Sequence, residues 1–504
     1  MIRPPIDDGE AETMALGRRS FLRLAGLVAA GAAASACTPV YRAVGEVIEG
    51  QVPWLSGDLL TFLALQRMTY GPTLAERQHA ADIGLAGWIE EQLAPASLVD
   101  LPGGLAVRSL TSLGLEAADL AAWERADVVD ELQRGTLLRR VYSRRQLYEI
   151  LVEFWTDHFN ISIDKGTCWL LKTVDDRTVI RRHALGSFRD LLSASAHSPA
   201  MLVYLDNQAN DRHAPNENYA RELLELHTLG VDGGYSQRDV MEMARCLTGW
   251  TVRDRFWKGK FVFRPEMHDD GGKRVLGLDV ERGGQGEAES VIERLAAHPA
   301  TARRLARKLA RRFVELPADE EQALVRHAAA AFLSSGGEIL SLLRPILLDG
   351  VLRRPAALAP KIKRPVHVVA SALRMLGAET NAASPIQHHL EQMGQPLFRW
   401  PTPDGPPEER QAWQSGLFAR WAFADALARN RIEGTRLDLA RWLATAGVSD
   451  RPAILDALAN LLLGGPLAEP GRSHILEALR PAGEEDLPAL LAAGLLASPA
   501  FQWR

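Results

Sequence analysis

Apolar residues recur three and four positions apart along almost the whole of this chain, a spacing that commits it to helices packed on helices. DLLTFLALQRM, GLAGWIEEQL, the stretch 117–158 and DRTVIRRHALGSFRDLLSASA each gather their apolar side chains on one face of a helix. Beyond Pro299 the pattern continues in ATARRLARKLARRFV, EEQALVRHAAAAFLSS, GGEILSLLRPILL and RPVHVVASALRML, each bounded by Gly or Pro. The exception lies near 251–264, where TVRDRFWKGKFVFR carries aromatic and β-branched residues around a Lys-Gly-Lys turn. The expectation is an all-α fold: a large multi-helix globular domain with a small β-hairpin insertion. At 504 residues and 47% hydrophobic the chain has ample material for a sizeable core. No fixed-period repeat points to a solenoid.

The N-terminus reads as an address. Arg18 and Arg19 precede Phe21 and Leu22, and an alanine-rich apolar run follows from Leu24 to Cys37. The run is too short for a comfortable membrane span and fits a twin-arginine export signal. The expected location is therefore periplasmic, or membrane-anchored at the cell envelope. Cys37 follows Ala34-Ser35-Ala36, which suits lipidation of Cys37, and so anchoring by lipid, or cleavage by an ordinary signal peptidase. The expected organisation is a signal peptide over 1–37, a tether over 38–56, a main helical domain over 57–400 and a C-terminal helical subdomain over 401–504 packed on it. The proline-rich loop WPTPDGPPEE marks the last boundary.

Net charge is −5, from 58 basic and 63 acidic residues, which offers nucleic acid no overall attraction. Without a CxxC there is no cysteine zinc site; Cys168 and Cys246 are two buried free thiols or one disulfide. RGGQGEAES has the glycines of a phosphate cradle but neither the Walker lysine nor a preceding strand.

The densest chemistry lies in NENYARELLELHTLGVDGGYSQRD, residues 216–239. Asn216 caps a helix that Gly230 ends, and Ser236 with Asp239 caps the next. At about 100° per residue, Glu217, Asn218, Arg221, Glu222, Glu225 and Thr228 share one polar face, and His227 projects from the apolar side. Glu217, Arg221 and Glu225 have the spacing of a salt-bridge ladder, and the same face is polar enough to line a cleft. His158 in EFWTDHFN, together with His268 and Asp269 in the Gly-rich loop HDDGGK, would complete a nitrogen and oxygen ligand set for a divalent metal. In that arrangement Glu217 or Glu222 acts as base, and Arg221 or Lys273 stabilises developing negative charge.

These segments resemble one family. RMTYGPT, EFWTDHFN, the stretch 216–252, HDDGGKRVLG, HPATARRLARKLARRFV, GQPLF, PTPDG and the terminal SPAFQWR look like the bacterial domain of unknown function 1800 family. The resemblance covers nearly all of the chain beyond the signal. It implies exported bacterial proteins, often with twin-arginine signals, and no assigned activity; members often carry Phe where this chain has His227. The functional expectation is an exported envelope protein acting as a metal-dependent enzyme, hydrolytic or redox, on an envelope substrate. Its alternative is a non-catalytic envelope binding or assembly protein that uses the basic helix of Arg303, Arg304, Arg307, Lys308, Arg311 and Arg312.

Overall fold

A computed structural model describes residues 57–253, 259–352, 361–467 and 469–504. The export signal, Cys37 and the tether lie outside the described residues. Helices dominate, joined by short two-stranded pairs, as the apolar spacing requires. Among the described residues no helix is long and apolar enough to cross a membrane.

The chain forms two compact units, and neither is a continuous stretch. One holds described residues 57–84, 361–395 and 410–504; the other holds 85–352 and 396–409. This division differs from a single boundary near Trp400: the proline-rich loop belongs to the second unit, while the segments on either side of it belong to the first. In the first unit the helix Leu487–Ala497 is buried along most of its length, because LPALLAAGLLA carries no charge to turn toward water. The chain end is pinned by backbone pairing of Lys361 with Arg504 at 3.0 and 2.8 Å. Buried Arg420 there donates to Gln502 Oε1 at 2.6 Å and to the carbonyls of Lys363 and Trp413 at 3.1 Å.

The second unit is the one that carries the candidate chemistry. Its labelled helices are α1 (Leu101–Val107), α2 (Arg125–Tyr142), α3 (Gln146–His158), α4 (Cys168–Asp175), α5 (Pro199–Tyr204), α6 (Glu217–Glu222) and α7 (Gln237–Cys246). Two hairpins follow. β1 (Trp250–Val252) pairs antiparallel with β2 (Phe261–Phe263), where a hairpin was expected, and β3 (Lys273–Val275) pairs with β4 (Leu278–Val280), where none was. Strands of three residues are too short to display a period of two, which explains the omission. The unit continues through α8 (Gly286–Ala296), α9 (Pro299–Phe313) and α10 (Ala318–Ser334).

Helix α9 displays the packing logic. Leu305, Leu309 and Phe313 are buried, each contributing roughly 1.5–3 kcal/mol. Arg303, Arg307 and Arg311 occupy the outer face. Arg312 turns inward: fully buried, it donates to Glu153 Oε1 at 2.6 Å and to Glu408 Oε1 at 2.9 Å. Its partner Glu153 lies on α3, where Glu149 is likewise buried and held by Arg181 at 3.0 Å. Glu149 and Glu153 of α3 thus face the interior, each neutralised by an arginine. Cys168 and Cys246 are free thiols, both buried, and burial pushes each up to about 12, which makes them inert at neutral pH.

Candidate carboxylate site on helix α6

Asn216 starts α6 as expected, its side chain accepting from Asn218 N at 2.9 Å. Ser236 and Asp239 form a complete capping box on α7. Between them the helix departs from α geometry. Residues Leu223–Thr228 form a π turn, in which Thr228 Oγ1 donates to Leu223 O, five residues back, at 2.6 Å. The extra residue rotates everything after Leu223 relative to Glu217.

Only the first rung of the expected ladder forms. Arg221 Nη2 donates to Glu217 Oε2 at 3.0 Å, and Gln237 Nε2 donates to the same oxygen at 2.7 Å. Glu225 instead accepts from Tyr235 OH at 3.2 Å. Glu217 and Arg221 hold the surface geometry, with side chains 34% and 40% exposed, and Glu217 is neutralised by its partner.

Glu222 is different. It is half-buried and has no hydrogen bond or ion pair with the described residues. Burial and the neighbouring Glu225 push its carboxyl above the ordinary carboxylate range; Arg221 opposes the shift and Asp404 adds to it. Asp404 arrives on the proline-rich loop, and several contacts fix that loop in place. Asn160 Nδ2 donates to Trp400 O at 3.0 Å and Thr402 O at 2.8 Å, and Tyr204 OH donates to Pro401 O at 2.8 Å. Burial pushes the Tyr204 phenol up to about 12, so it stays a neutral donor. Thr402 Oγ1 donates to Asp404 Oδ1 at 2.5 Å and orients the carboxylate. Gly405 has φ 74° and rests against the backbone of Asp157.

The histidines do not join this cluster. His158 is buried at the end of α3 among Phe154, Trp155, Phe159 and Phe188. Lys308 Nζ donates to its Nδ1 at 3.0 Å, so Nε2 carries the proton and donates to His227 O at 3.1 Å. Burial and Lys308 hold the ring well below the ordinary imidazole value, hence neutral. His227 lies on the apolar side of the helix, as its position predicts. It is buried, but neither ring nitrogen has a hydrogen-bond partner, and burial lowers it to about 3.

His268, Asp269 and Lys273 form a separate lock. His268 Nδ1 donates to Thr248 O at 2.8 Å, and its Nε2 faces Glu287 Oε2 at 3.2 Å. Lys273 donates to the same Glu287 oxygen at 2.5 Å and to the carbonyls of Asp269 and Gly271, which occupies its three protons. Asp269 accepts from Arg245 Nε at 2.7 Å, and this guanidinium holds it down at about 2. The Gly-rich loop that seemed free to converge on a ligand is thus tied to α7 and α8. Gly283 of the other glycine cluster donates its N–H to Glu287 Oε1 at 3.2 Å.

The expected ligand set of His158, His268 and Asp269 is therefore corrected. Each histidine has both nitrogens engaged by the protein, and Asp269 is neutralised by Arg245. Among the described residues no three His, Cys, Asp or Glu side chains are grouped to hold a metal ion. The residues present do not fit a divalent metal held by that set. Lys273, sealed at 1% exposure, has no proton left for a substrate.

Sequence reasoning missed Asp404, Tyr204, Asn160 and Gly405. The available signal is PTPDG, whose prolines mark a boundary by sequence alone.

The chain matches the family model described as "Protein of unknown function (DUF1800)" over residues 63–503. No curated protein and no solved structure matches it.

Proposed function

Taking the chain as the member of the DUF1800 protein family that it is, we propose that it is an exported cell-envelope enzyme whose acid–base group is Glu222, acting without the histidine-bound metal first expected. The observation that carries this reading is a convergence. Three segments of the family resemblance that are far apart in sequence come together here: Asn160 and Asp157 of EFWTDHFN hold PTPDG at Thr402 and Gly405, and the charge of Asp404 on that loop reaches Glu222 of the 216–230 helix. A carboxyl with raised proton affinity opposite a second carboxyl is the pairing that hydrolyses glycosides. In this reading Glu222, whose burial favours its protonated form, gives a proton to the leaving oxygen as the glycosidic C–O bond breaks. Asp404 takes a proton from the attacking water. Export rests on Arg18, Arg19 and the apolar run to Cys37.

The test is release of reducing ends from envelope glycan by the purified chain. Glu222→Gln should lower the rate by about 10²–10⁴-fold, with an unchanged circular dichroism spectrum. A Glu222→Gln protein as active as wild type, or a wild type inert on every glycan, ester and amide of the envelope, ends the reading. Exchange of both Arg18 and Arg19 for lysine, followed by cell fractionation, tests export. A palmitate label lost in Cys37→Ala tests lipidation.

One observation favours a second reading, envelope binding through α9. Arg303 and Arg307 are exposed and have no ion pair with the described residues, whereas Arg311 pairs with Glu321 at 3.0 Å. Arg304, Lys308 and Arg312 have structural partners, so the ligand-facing basic surface is narrower than the six residues suggested. Anionic envelope material retained by wild type and released by Arg303→Glu/Arg307→Glu would support this reading.

A further inference from the structure

The loop and short helix at 98–108 present an apolar surface that the described residues leave uncovered. Val99 is 75% exposed, Leu101 63% and Leu105 48%. Leu101 and Leu105 are four residues apart on α1 and so share a face. This exposure is built into a locked loop. Asp100 Oδ2 accepts from Ser143 Oγ at 2.7 Å, and its Oδ1 accepts from Arg144 N at 2.9 Å and Gly103 N at 3.3 Å. Arg145 closes the loop, donating from Nε and Nη2 to Leu98 O at 3.1 and 2.8 Å. Apolar side chains held outward by five hydrogen bonds carry a cost in water that only an apolar partner removes.

The charges beside the patch select the partner. Arg108 follows Leu105 by three residues and is exposed; Arg144 is exposed and is bound through its backbone to the loop. Neither guanidinium pairs with a carboxylate among the described residues. Asp100, the acid at the centre of the loop, is consumed by the lock. Aliphatic side chains flanked by arginines match a lipid surface with anionic headgroups: the side chains enter the acyl boundary while the guanidinium groups meet phosphate.

We propose that Val99, Leu101 and Leu105, with Arg108 and Arg144, seat this unit on an anionic membrane surface. The inference is independent of the Glu222 reading, because it uses none of that site's residues and its test measures no activity. The experiment is cosedimentation of the full chain carrying Cys37→Ala with vesicles of phosphatidylglycerol and phosphatidylethanolamine, against phosphatidylcholine alone. The apolar run 24–37 is common to every variant, so differences among variants read the patch. Wild type should prefer the anionic vesicles. Arg108→Glu/Arg144→Glu should weaken that preference at least thirtyfold, the change for two arginines at about 1 kcal/mol each. Leu101→Ser/Leu105→Ser should lose binding that survives high salt. All four positions are exposed, and unchanged melting temperatures establish that the variants fold. Equal binding by wild type and both variants overturns the proposal, as does a wild type without preference between vesicles. Concentration-dependent dimerisation abolished by the serine variant also overturns it, by assigning the patch to a second copy of the chain.

Discussion

Gly405 sits so close to Asp157 that a Cβ on it would lie 2.1 Å from the Asp157 carbonyl oxygen. With φ at 74°, the position is closed to other residues by backbone conformation as well as by space. Gly405→Ala must displace the loop that carries Asp404. We expect a stability loss of about 1–3 kcal/mol, as for overpacking, in guanidinium unfolding. Glu222 should also titrate nearer its ordinary value, read in a pH–rate profile. An alanine variant with wild-type stability and an unmoved profile would mean that the loop does not set Glu222.

The two bare ring nitrogens of His227 make His227→Phe a stabilising change. Removing buried, unpartnered polar atoms recovers about 1–3 kcal/mol, measured as a raised denaturant midpoint at pH 7. The sign of the pH effect follows from a folded value of about 3 against an ordinary 6.5. Below pH 6.5 the unfolded chain takes up a proton that the folded chain refuses, so wild type loses stability on acidification. The advantage of the phenylalanine variant should grow by about 1.4 kcal/mol per pH unit until pH approaches 3. A constant difference between pH 7 and pH 4 contradicts this.

Glu222 behaves in the opposite sense. Its folded value is raised above 4.5, so the folded state keeps a proton that the unfolded chain has released. Wild-type stability therefore falls as pH rises from 4.5 through the folded value. Glu222→Gln should match wild type below pH 4.5 and exceed it at neutral pH. Paired melting curves at pH 4 and pH 7 check this, and a Gln variant less stable at both refutes it.

Arg312 and Glu153 are buried together at 2.6 Å, and each has a second partner, Glu408 at 2.9 Å and Arg140 at 3.6 Å, so removing Arg312 takes the closest cation from Glu153. Arg312→Met should cost about 3–5 kcal/mol. Adding Glu153→Leu should cost less than its loss in the wild-type background, because both changes break the same 2.6 Å contact. A double-mutant cycle in guanidinium measures the coupling, and additive losses would show that the pair is not a unit.

Local rules were legible in the sequence and remote ones were not. The Asn216 cap, the Ser236–Asp239 box and the hairpin near 251–264 depend on neighbours within a few residues, and each formed. The π turn at Leu223–Thr228 has no comparable local mark, and it moved Glu225 from Arg221 to Tyr235. The separation of His158 from the His268–Asp269 loop was illegible for a different reason. Exposure and hydrogen-bond occupancy are properties of packing, and a Gly-rich stretch such as HDDGGK reads as open whether or not Arg245 and Glu287 stand beside it. Asp404 could not be paired with Glu222 from spacing at all, since 182 residues separate them.

The interleaving of the two units bears on how the protein is made. Residues 396–409 complete the second unit, yet the chain builds 361–395 of the first unit before reaching them. During synthesis the α6 face therefore waits, its loop missing, until Gly405 has left the ribosome. A fragment ending before residue 404 holds Glu222 without Asp404. Cutting the gene at 352 or at 395 would leave the second unit without the segment that completes it.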